Sequence, residues 1–262
     1  MEPGNAAAPI VLVTGGAHRL GAALCRAYAR RGHEVLCHYR ESAAQAEVLV
    51  AQLRAEGCAA HAVWGDLSNM TAADTLFERA LAITGRIDVL VNNASIFEPD
   101  SGLQLSPESL DRQLRINAQV PMALAARLAR HCRDRGVRGA VAHILDQKVQ
   151  NLNPDYASYT SSKLLLAAAV AQQAQNLAPH LRVIGIAPGL LALSGPQSSD
   201  NFEWAARQNL LRQPVAIDDV ARATVDLSGN PSITGTIVNV DCGQHLVPTA
   251  RDVMFLGPGG GA

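Results

Sequence analysis

Short apolar runs alternate with longer amphipathic stretches along nearly the whole chain, and this alternation restricts the fold more than any single motif does. Ile10-Val11-Leu12-Val13 is apolar without interruption, the pattern of a strand buried on both faces. Immediately after it, Leu20, Ala23, Leu24, Ala27 and Tyr28 stand at i, i+3, i+4, i+7 and i+8, on one face of a helix. A second strand is expected over 34–38 and a helix over 42–56. Further strands are predicted near 61–63, 89–91, 140–145, 182–186 and 236–240. Helices fill the intervals, the longest over 107–133 and 158–177.

Strands covered on both faces and joined through helices pair in parallel by right-handed crossovers. The expected fold is α/β: a Rossmann-like, doubly wound parallel sheet of about seven strands with helices on both faces. No linker, internal repeat or charge block divides the chain, so a single domain is expected over 10–250. The small, Gly/Pro/Ala-rich ends, 1–9 and 251–262, are read as a mobile N-terminal segment and a C-terminal tail. Within the domain, 190–213 is read as a mobile lid over a substrate, with its Gly195-Pro196 turn, its polar Ser198-Ser199-Asp200 run and Trp204.

Composition narrows the partners. A net charge of -1 leaves no basic surplus to draw the chain to nucleic acid. No apolar run approaches the roughly 20 residues that cross a bilayer, and 1–9 lacks the charged start and apolar core of a secretion signal. Cys25, Cys37, Cys58, Cys132 and Cys242 lie far apart with no CxxC pair, which points to reduced thiols and neither a disulfide framework nor a metal site. A cytoplasmic protein acting on a small molecule is expected.

The first strand runs into Thr14-Gly15-Gly16-Ala17-His18-Arg19-Leu20-Gly21 and then directly into a helix. Such a turn aims backbone N–H groups and a helix N-terminus at a pyrophosphate, although it also occurs as a plain structural loop. Gly15 permits the tight turn, and Gly21 permits close approach of helix and strand. The end of the second strand reads Cys37-His38-Tyr39-Arg40-Glu41-Ser42. An acidic residue there suits a free ribose hydroxyl, whereas positive charge suits a 2′-phosphate. Arg40, with the Ser42 hydroxyl and with His18 and Arg19 nearby, favours NADPH over NADH. Arg40 could instead pair with Glu41 or stand as a solvated charge.

Tyr159 and Lys163 are four residues apart at the start of a predicted helix, so phenol and ammonium share one face. A tyrosine near its usual pKa of ~10 is a sluggish acid at neutral pH, and a neighbouring cation is expected to lower that value. YxxxK alone is common by chance. Here it opens the helix after the fifth strand, where the carboxyl ends of the sheet gather.

With these motifs in order, the chain resembles the short-chain dehydrogenase/reductase family from Val11 to about Leu246. The matching features are the Thr14-Gly15…Gly21 turn, Asp66-Leu67, Asn92-Asn93-Ala94, Asn117, Tyr159 with Lys163, and Pro188-Gly189. The resemblance implies that Asp66 contacts adenine and that Asn92-Asn93-Ala94 supports the central sheet beside the cofactor. It also implies that Lys163 holds the nicotinamide ribose, that Asn117 holds a water in a proton relay, and that the chain forms a homotetramer through its long helices.

The departures are more specific. Most members carry serine thirteen residues before the tyrosine; this chain has Asp146. A carboxylate repels a developing oxyanion and suits a nitrogen-rich substrate instead, although Asp146 could equally be a turn residue or helix cap. Arg19 replaces the family's middle glycine and could reach cofactor phosphates and substrate. Ser95 replaces the glycine after Asn92-Asn93-Ala94, and Phe97 could stack a flat heterocycle or simply pack its loop. Arg19-Leu20-Gly21, His38-Tyr39-Arg40 with Ser42, Ser95 with Phe97, and Asp146 with Tyr159 are similar to the pteridine reductase branch, which includes dihydromonapterin reductases. That likeness implies reduction of a dihydropterin, of the dihydromonapterin, dihydrobiopterin or dihydrofolate type, to the tetrahydropterin. Arg19, Ser95, Phe97, Asp146, Tyr159 and Leu190 would touch the substrate. The rivals are a carbonyl or 3-oxoacyl thioester reductase and a non-catalytic nucleotide sensor. Glu41 stands where trypanosomatid members have a basic residue, and Cys242 interrupts the usual Asp-Gly-Gly after the last strand.

Overall fold

A computed structural model of the chain describes residues 8–193 and 197–259. Most of the expected N-terminal segment, the Gly195-Pro196 turn and the last three residues of the tail lie outside the described residues. Seven strands form one parallel sheet: β1 (Ile10–Val13), β2 (Glu34–Tyr39), β3 (Ala60–Trp64), β4 (Val89–Asn92), β5 (Gly139–Ile144), β6 (Leu181–Pro188) and β7 (Thr236–Val240). The order is β3-β2-β1-β4-β5-β6-β7, with Val11 opposite both Val35 and Val89. The expected doubly wound, single-domain fold is the fold observed.

Successive strand residues feed opposite layers, which explains why the central strands β1 and β4 are almost continuously apolar. Leu12, Leu36, Leu90 and Val141 enter one core with Phe77 of α3 (Ala72–Thr84), Leu124 and Leu128 of α5 (Val120–Asp134) and Leu166 of α6 (Ala157–Asn176). Val11, Val35, Val91 and Ala142 enter the other with Leu24 and Tyr28 of α1 (Arg19–Arg30), Leu53 of α2 (Ala43–Ala55) and Val220 of α8 (Ile217–Gly229). The chain winds outward from β1 to β3 and then returns to β4. Where the winding reverses, the loops leaving β1 and β4 diverge and a crevice opens at the carboxyl ends of the strands.

One element differs from expectation. The single helix expected over 107–133 is α4 (Pro107–Leu114), a π-helical stretch Arg115–Gln119, and then α5. Pro121 has no N–H to give the Asn117 carbonyl four residues back, and Val120 N–H goes to Arg115 O instead. The helix widens by one residue where Asn117 sits.

The glycine turn places α1 against β1. Gly15 takes φ +61°, and a Cβ on Gly21 would stand 2.0 Å from the Gly15 carbonyl oxygen, so no side chain fits there unless α1 withdraws. Gly21→Ala is therefore expected to lower Tm by roughly 5 °C or more in a thermal melt, since overpacking of this kind costs about 1–3 kcal/mol. An unchanged Tm would mean that α1 does not rest on β1 through this contact.

Candidate active site

A cavity of about 500 Å³ lies in the crevice, walled by the turn after β1, the ends of β2, β4, β5 and β6, and the C-terminal residues 252–254. Its base is a cluster of hydrogen bonds on Thr14. The Thr14 hydroxyl accepts from Asn93 N (2.9 Å) and Ala94 N (3.0 Å), and the Asn93 amide donates to Thr14 O (2.9 Å) and Gly15 O (3.1 Å). The exits of β1 and β4 are thereby tied together. Gly15, Leu20 and Gly21 face the cavity from the turn, with Asn93 and Ala94 opposite.

His38 also reaches the wall, but its ring serves the protein. Nδ1 accepts from Gly15 N (2.9 Å), which leaves Nε2 to donate to Gly65 O (3.1 Å). Burial lowers its pKa to about 4, so at neutral pH it is an uncharged pin between the turn and β3. The positive charge on this side comes from Arg19 and Arg40, both exposed on the wall, with the His18 ring beside Arg19. Arg19 stands at φ +45°, the left-handed region that glycine enters freely. Arg40 contacts Glu41 at 2.7 Å, but both side chains are solvated and such a pair is weak.

The expected site residues divide. Leu67, Ser95, Phe97, Pro188, Gly189 and Leu190 line the cavity, as do Asp146, Tyr159 and Lys163. Tyr39, Ser42, Asp66 and Asn117 are not on its wall. Ser42 begins α2, and the Asp66 carboxylate, expected at adenine, accepts from Ser68 N (3.0 Å) and Ser68 Oγ (2.8 Å). The Asn117 side chain, expected to hold a water, is filled by protein. Its Oδ1 accepts from Ile96 N (2.9 Å) and Ser95 Oγ (3.1 Å), while Nδ2 donates to Ile96 O (2.9 Å) and Ser162 Oγ (3.0 Å).

At the floor, Tyr159 donates its phenol proton to Asp146 Oδ2 (2.9 Å). Asp146 Oδ1 accepts from Lys148 N (2.8 Å), so the residue is a cap and a partner of the tyrosine at once. Lys163 Nζ donates to Ile144 O (2.9 Å) and lies 5.7 Å from the centre of the Tyr159 ring. Burial raises the Asp146 pKa, and it lowers that of Lys163 to about 8. Tyr159 corrects the sequence expectation. Burial, and then the adjacent carboxylate, push its pKa well above 10, because Asp146 touches the phenol oxygen whereas Lys163 sits over the ring. The phenol is a held proton, not an easily formed phenolate.

Phe97 packs against its neighbours and keeps part of its ring open to the cavity. One face stacks on Tyr156 (centroids 4.0 Å apart, 25° between planes), its edge meets Tyr159 at 4.7 Å, and 39% of it remains exposed. Tyr156 holds φ +59°, a strained conformation for a bulky residue. Tyr156 N donates to Asp100 O (3.1 Å), and the Asp100 carboxylate accepts from Ser158 N (3.1 Å) at the start of α6.

The residues read as a tail supply part of the wall. The Arg251 guanidinium bonds Asp155 from Nε (2.9 Å to each carboxylate oxygen), Tyr156 Oη donates to Met254 Sδ (2.9 Å), and Asn201 of α7 (Ser199–Ala205) donates to Met254 O (3.1 Å). Lys148 Nζ, in a side chain 3% exposed, donates to Asp252 Oδ2 (2.7 Å) and Asn153 Oδ1 (2.9 Å). Sequence reasoning missed Lys148, Tyr156, Asp252 and Met254. One signal was present: the chain has only two lysines, Lys148 and Lys163, among 22 basic residues. Both stand in the cavity wall.

Comparison with known proteins agrees with this geometry. The family model described as short chain dehydrogenase matches residues 9–202. Pteridine reductase 1 of Leishmania tarentolae is 31% identical, over 91% of this chain and 97% of that protein. 3beta-hydroxysteroid dehydrogenase 1 of Eggerthella lenta is also 31% identical, over 91% and 94%. Among solved structures, the FolM alternative dihydrofolate reductase 1 of Brucella canis, complexed with NADP, superimposes with a TM-score of 0.85 at 34% identity, over 92% of this chain and 95% of that one.

The C-terminal wall can be tested without reference to a relative. Asp252→Ala strands the Lys148 ammonium in the interior and is expected to cost on the order of 3 kcal/mol in urea unfolding. Lys148→Met removes the buried charge and should cost less. Equal losses would show that the ion pair does not hold this segment.

Proposed function

The chain belongs to the short-chain dehydrogenase family, and from that premise we propose that it is an NADPH-dependent reductase converting a dihydropterin to its tetrahydro form. The observation that carries this reading is the contact of Tyr159 Oη with the buried Asp146 carboxylate. Reduction of a ketone develops an oxyanion, which a carboxylate at this place would oppose. Reduction of a C=N bond adds hydride to carbon and a proton to nitrogen, and the Asp146–Tyr159 pair holds such a proton. Its raised pKa keeps Asp146 closer to protonation at neutral pH than an ordinary aspartate. The names of the Leishmania pteridine reductase and the Brucella dihydrofolate reductase point the same way.

The residues present fit a dinucleotide. His18 begins α1 without a side-chain cap, so the first-turn N–H groups are open to a phosphate beside Leu20 and Gly21. Arg40, with Arg19 and His18, would receive a 2′-phosphate, consistent with the NADP in the Brucella structure. Asn93, Ala94, Ser95, Pro188 and Gly189 would line the nicotinamide end, and Lys163 would hold its ribose. When bound, the reduced nicotinamide supplies the hydride. Phe97, Arg19, Ser95 and Leu190 would orient the substrate, and Tyr159 would pass its proton to the ring nitrogen with Asp146 as its partner. A relay water would be held by the backbone carbonyl of Asn117, to which Pro121 offers no N–H. The proposal includes a cytoplasmic homotetramer assembled through the long helices, supported by Leu164 and Leu165 exposed on α6.

Oxidation of NADPH followed with dihydromonapterin, dihydrobiopterin and dihydrofolate, with NADH in parallel, tests the reading. Turnover of at least one of the three is expected, with Asp146→Ser at least about a hundredfold slower. Ready reduction of a simple ketone with none of the pterins would overturn it, as would tight NADPH binding without any turnover.

Lys163 sets the alkaline limit. Its ammonium exists below about 8 and is lost above it, so kcat/KM is expected to fall as pH rises through that value. Lys163→Arg should move the fall upward. A limb that begins above 10 in the unaltered protein would remove Lys163 from this role.

A further inference from the structure

The polar groups on the cavity wall are unevenly committed. Near Asp146 two side-chain donors are spent inside the protein, Tyr159 Oη on Asp146 and Lys148 Nζ on Asp252 and Asn153, and Lys163 Nζ gives one of its three N–H groups to Ile144 O. Oxygen acceptors are left over. Gln147 follows Asp146 directly, lines the cavity and is 7% exposed, yet its Oε1 is buried with no hydrogen-bond partner. Gln197, on the lid side of the same wall, gives its Nε2 to Asn201 Oδ1 (2.8 Å), and its Oε1 is likewise buried and unpartnered. Gln244 differs, because its Oε1 accepts from Leu190 N (3.0 Å).

A buried carbonyl oxygen left unpaired costs about 1–3 kcal/mol, and native proteins keep few of them. Two in residues that line one cavity, with the carboxylate of Asp146 next to Gln147, leave that part of the wall with acceptors that no protein donor meets. Such a surface favours a ligand that brings its own N–H groups.

We propose that Gln147 is a specificity-determining residue of this site, its Oε1 accepting a hydrogen bond from an N–H of the substrate heterocycle, with Gln197 Oε1 as a second acceptor from the lid side. This rests on the pterin reading above and extends it to residues that reading does not use. A 2-amino-4-oxo pteridine carries ring and exocyclic N–H donors on one flat edge and can satisfy both oxygens. A ketone or thioester carries none and leaves both unpaired, which is the condition under which a polar site rejects a substrate.

The inference separates function from stability by sign. Gln147→Met replaces the amide with an unbranched apolar chain of similar length and removes an unpaired oxygen. Thermal melting of the free protein should then show an unchanged or higher Tm, with NADP⁺ affinity within about twofold of the unaltered protein. Calorimetric titration of pterin in the presence of NADP⁺ should show affinity weakened about tenfold or more. Gln197→Met should weaken pterin in the same direction. Unaltered pterin affinity in Gln147→Met overturns the inference and leaves the proposed reduction standing. A lower Tm with weakened NADP⁺ binding also overturns it, because the residue is then structural. No pterin binding by the unaltered protein overturns both.

Discussion

The hydroxyl of Thr14 holds together the place where the sheet changes direction. Parallel winding carries the chain outward from β1 on one side and, after the return to β4, outward on the other. The loops leaving β1 and β4 are therefore neighbours with no strand between them. Two N–H groups from the β4 exit converge on Thr14 Oγ1, while the Asn93 amide reaches back to the β1 turn. That turn carries α1, and α1 stands against it at the closest backbone approach that glycine allows. The side of the cavity walled by that turn, with His38 pinned against it, hangs from these bonds.

The chemistry on the other side depends on exclusion of water. Burial raises Asp146 and Tyr159 and lowers Lys163; the Asp146 carboxylate adds to the rise at Tyr159 and opposes the fall at Lys163. The placement of the two lysines fits this. A chain that otherwise draws its positive charge from arginine uses the compact ammonium group at two buried points. Lys163 stands in the floor beneath the phenol, and Lys148 ties the floor to the C-terminal residues.

Two backbone positions show how a departure in sequence can leave shape intact. Arg19 and Cys242 both take left-handed conformations, φ +45° and +54°, at places where the family pattern has glycine. The turn geometry is kept and the strain of a side chain is accepted. At Arg19 this places a guanidinium on the cavity wall. At Cys242 the carbonyl receives Leu211 N–H (3.2 Å), and Asp241 beside it holds Gly243 N (3.0 Å) and His245 N (2.7 Å), so the loop after β7 stays closed despite the cysteine.

Much of this was written in local pattern. Continuous apolar runs separated by amphipathic helices leave few arrangements other than a parallel sheet covered on both sides, and Tyr159, Lys163 and the glycine turn could be placed on its carboxyl edge from spacing alone. Pairwise chemistry across long sequence separations could not be read this way. Whether Lys163 or Asp146 governs Tyr159 depends on a few ångströms between side chains from different elements. The Asn117 amide is spent on Ser95, Ile96 and Ser162, which the fold brings to it from other elements. The C-terminal residues, read as a tail because they run into a Gly/Pro-rich end, became part of the wall where Asp252 met Lys148 and Arg251 met Asp155 across about a hundred residues of chain. The sequence by itself determined the layers and the edge on which chemistry would gather. Only the tertiary structure decided which buried charge faces which, because burial strengthens an electrostatic contact in proportion to a closeness that no local pattern encodes.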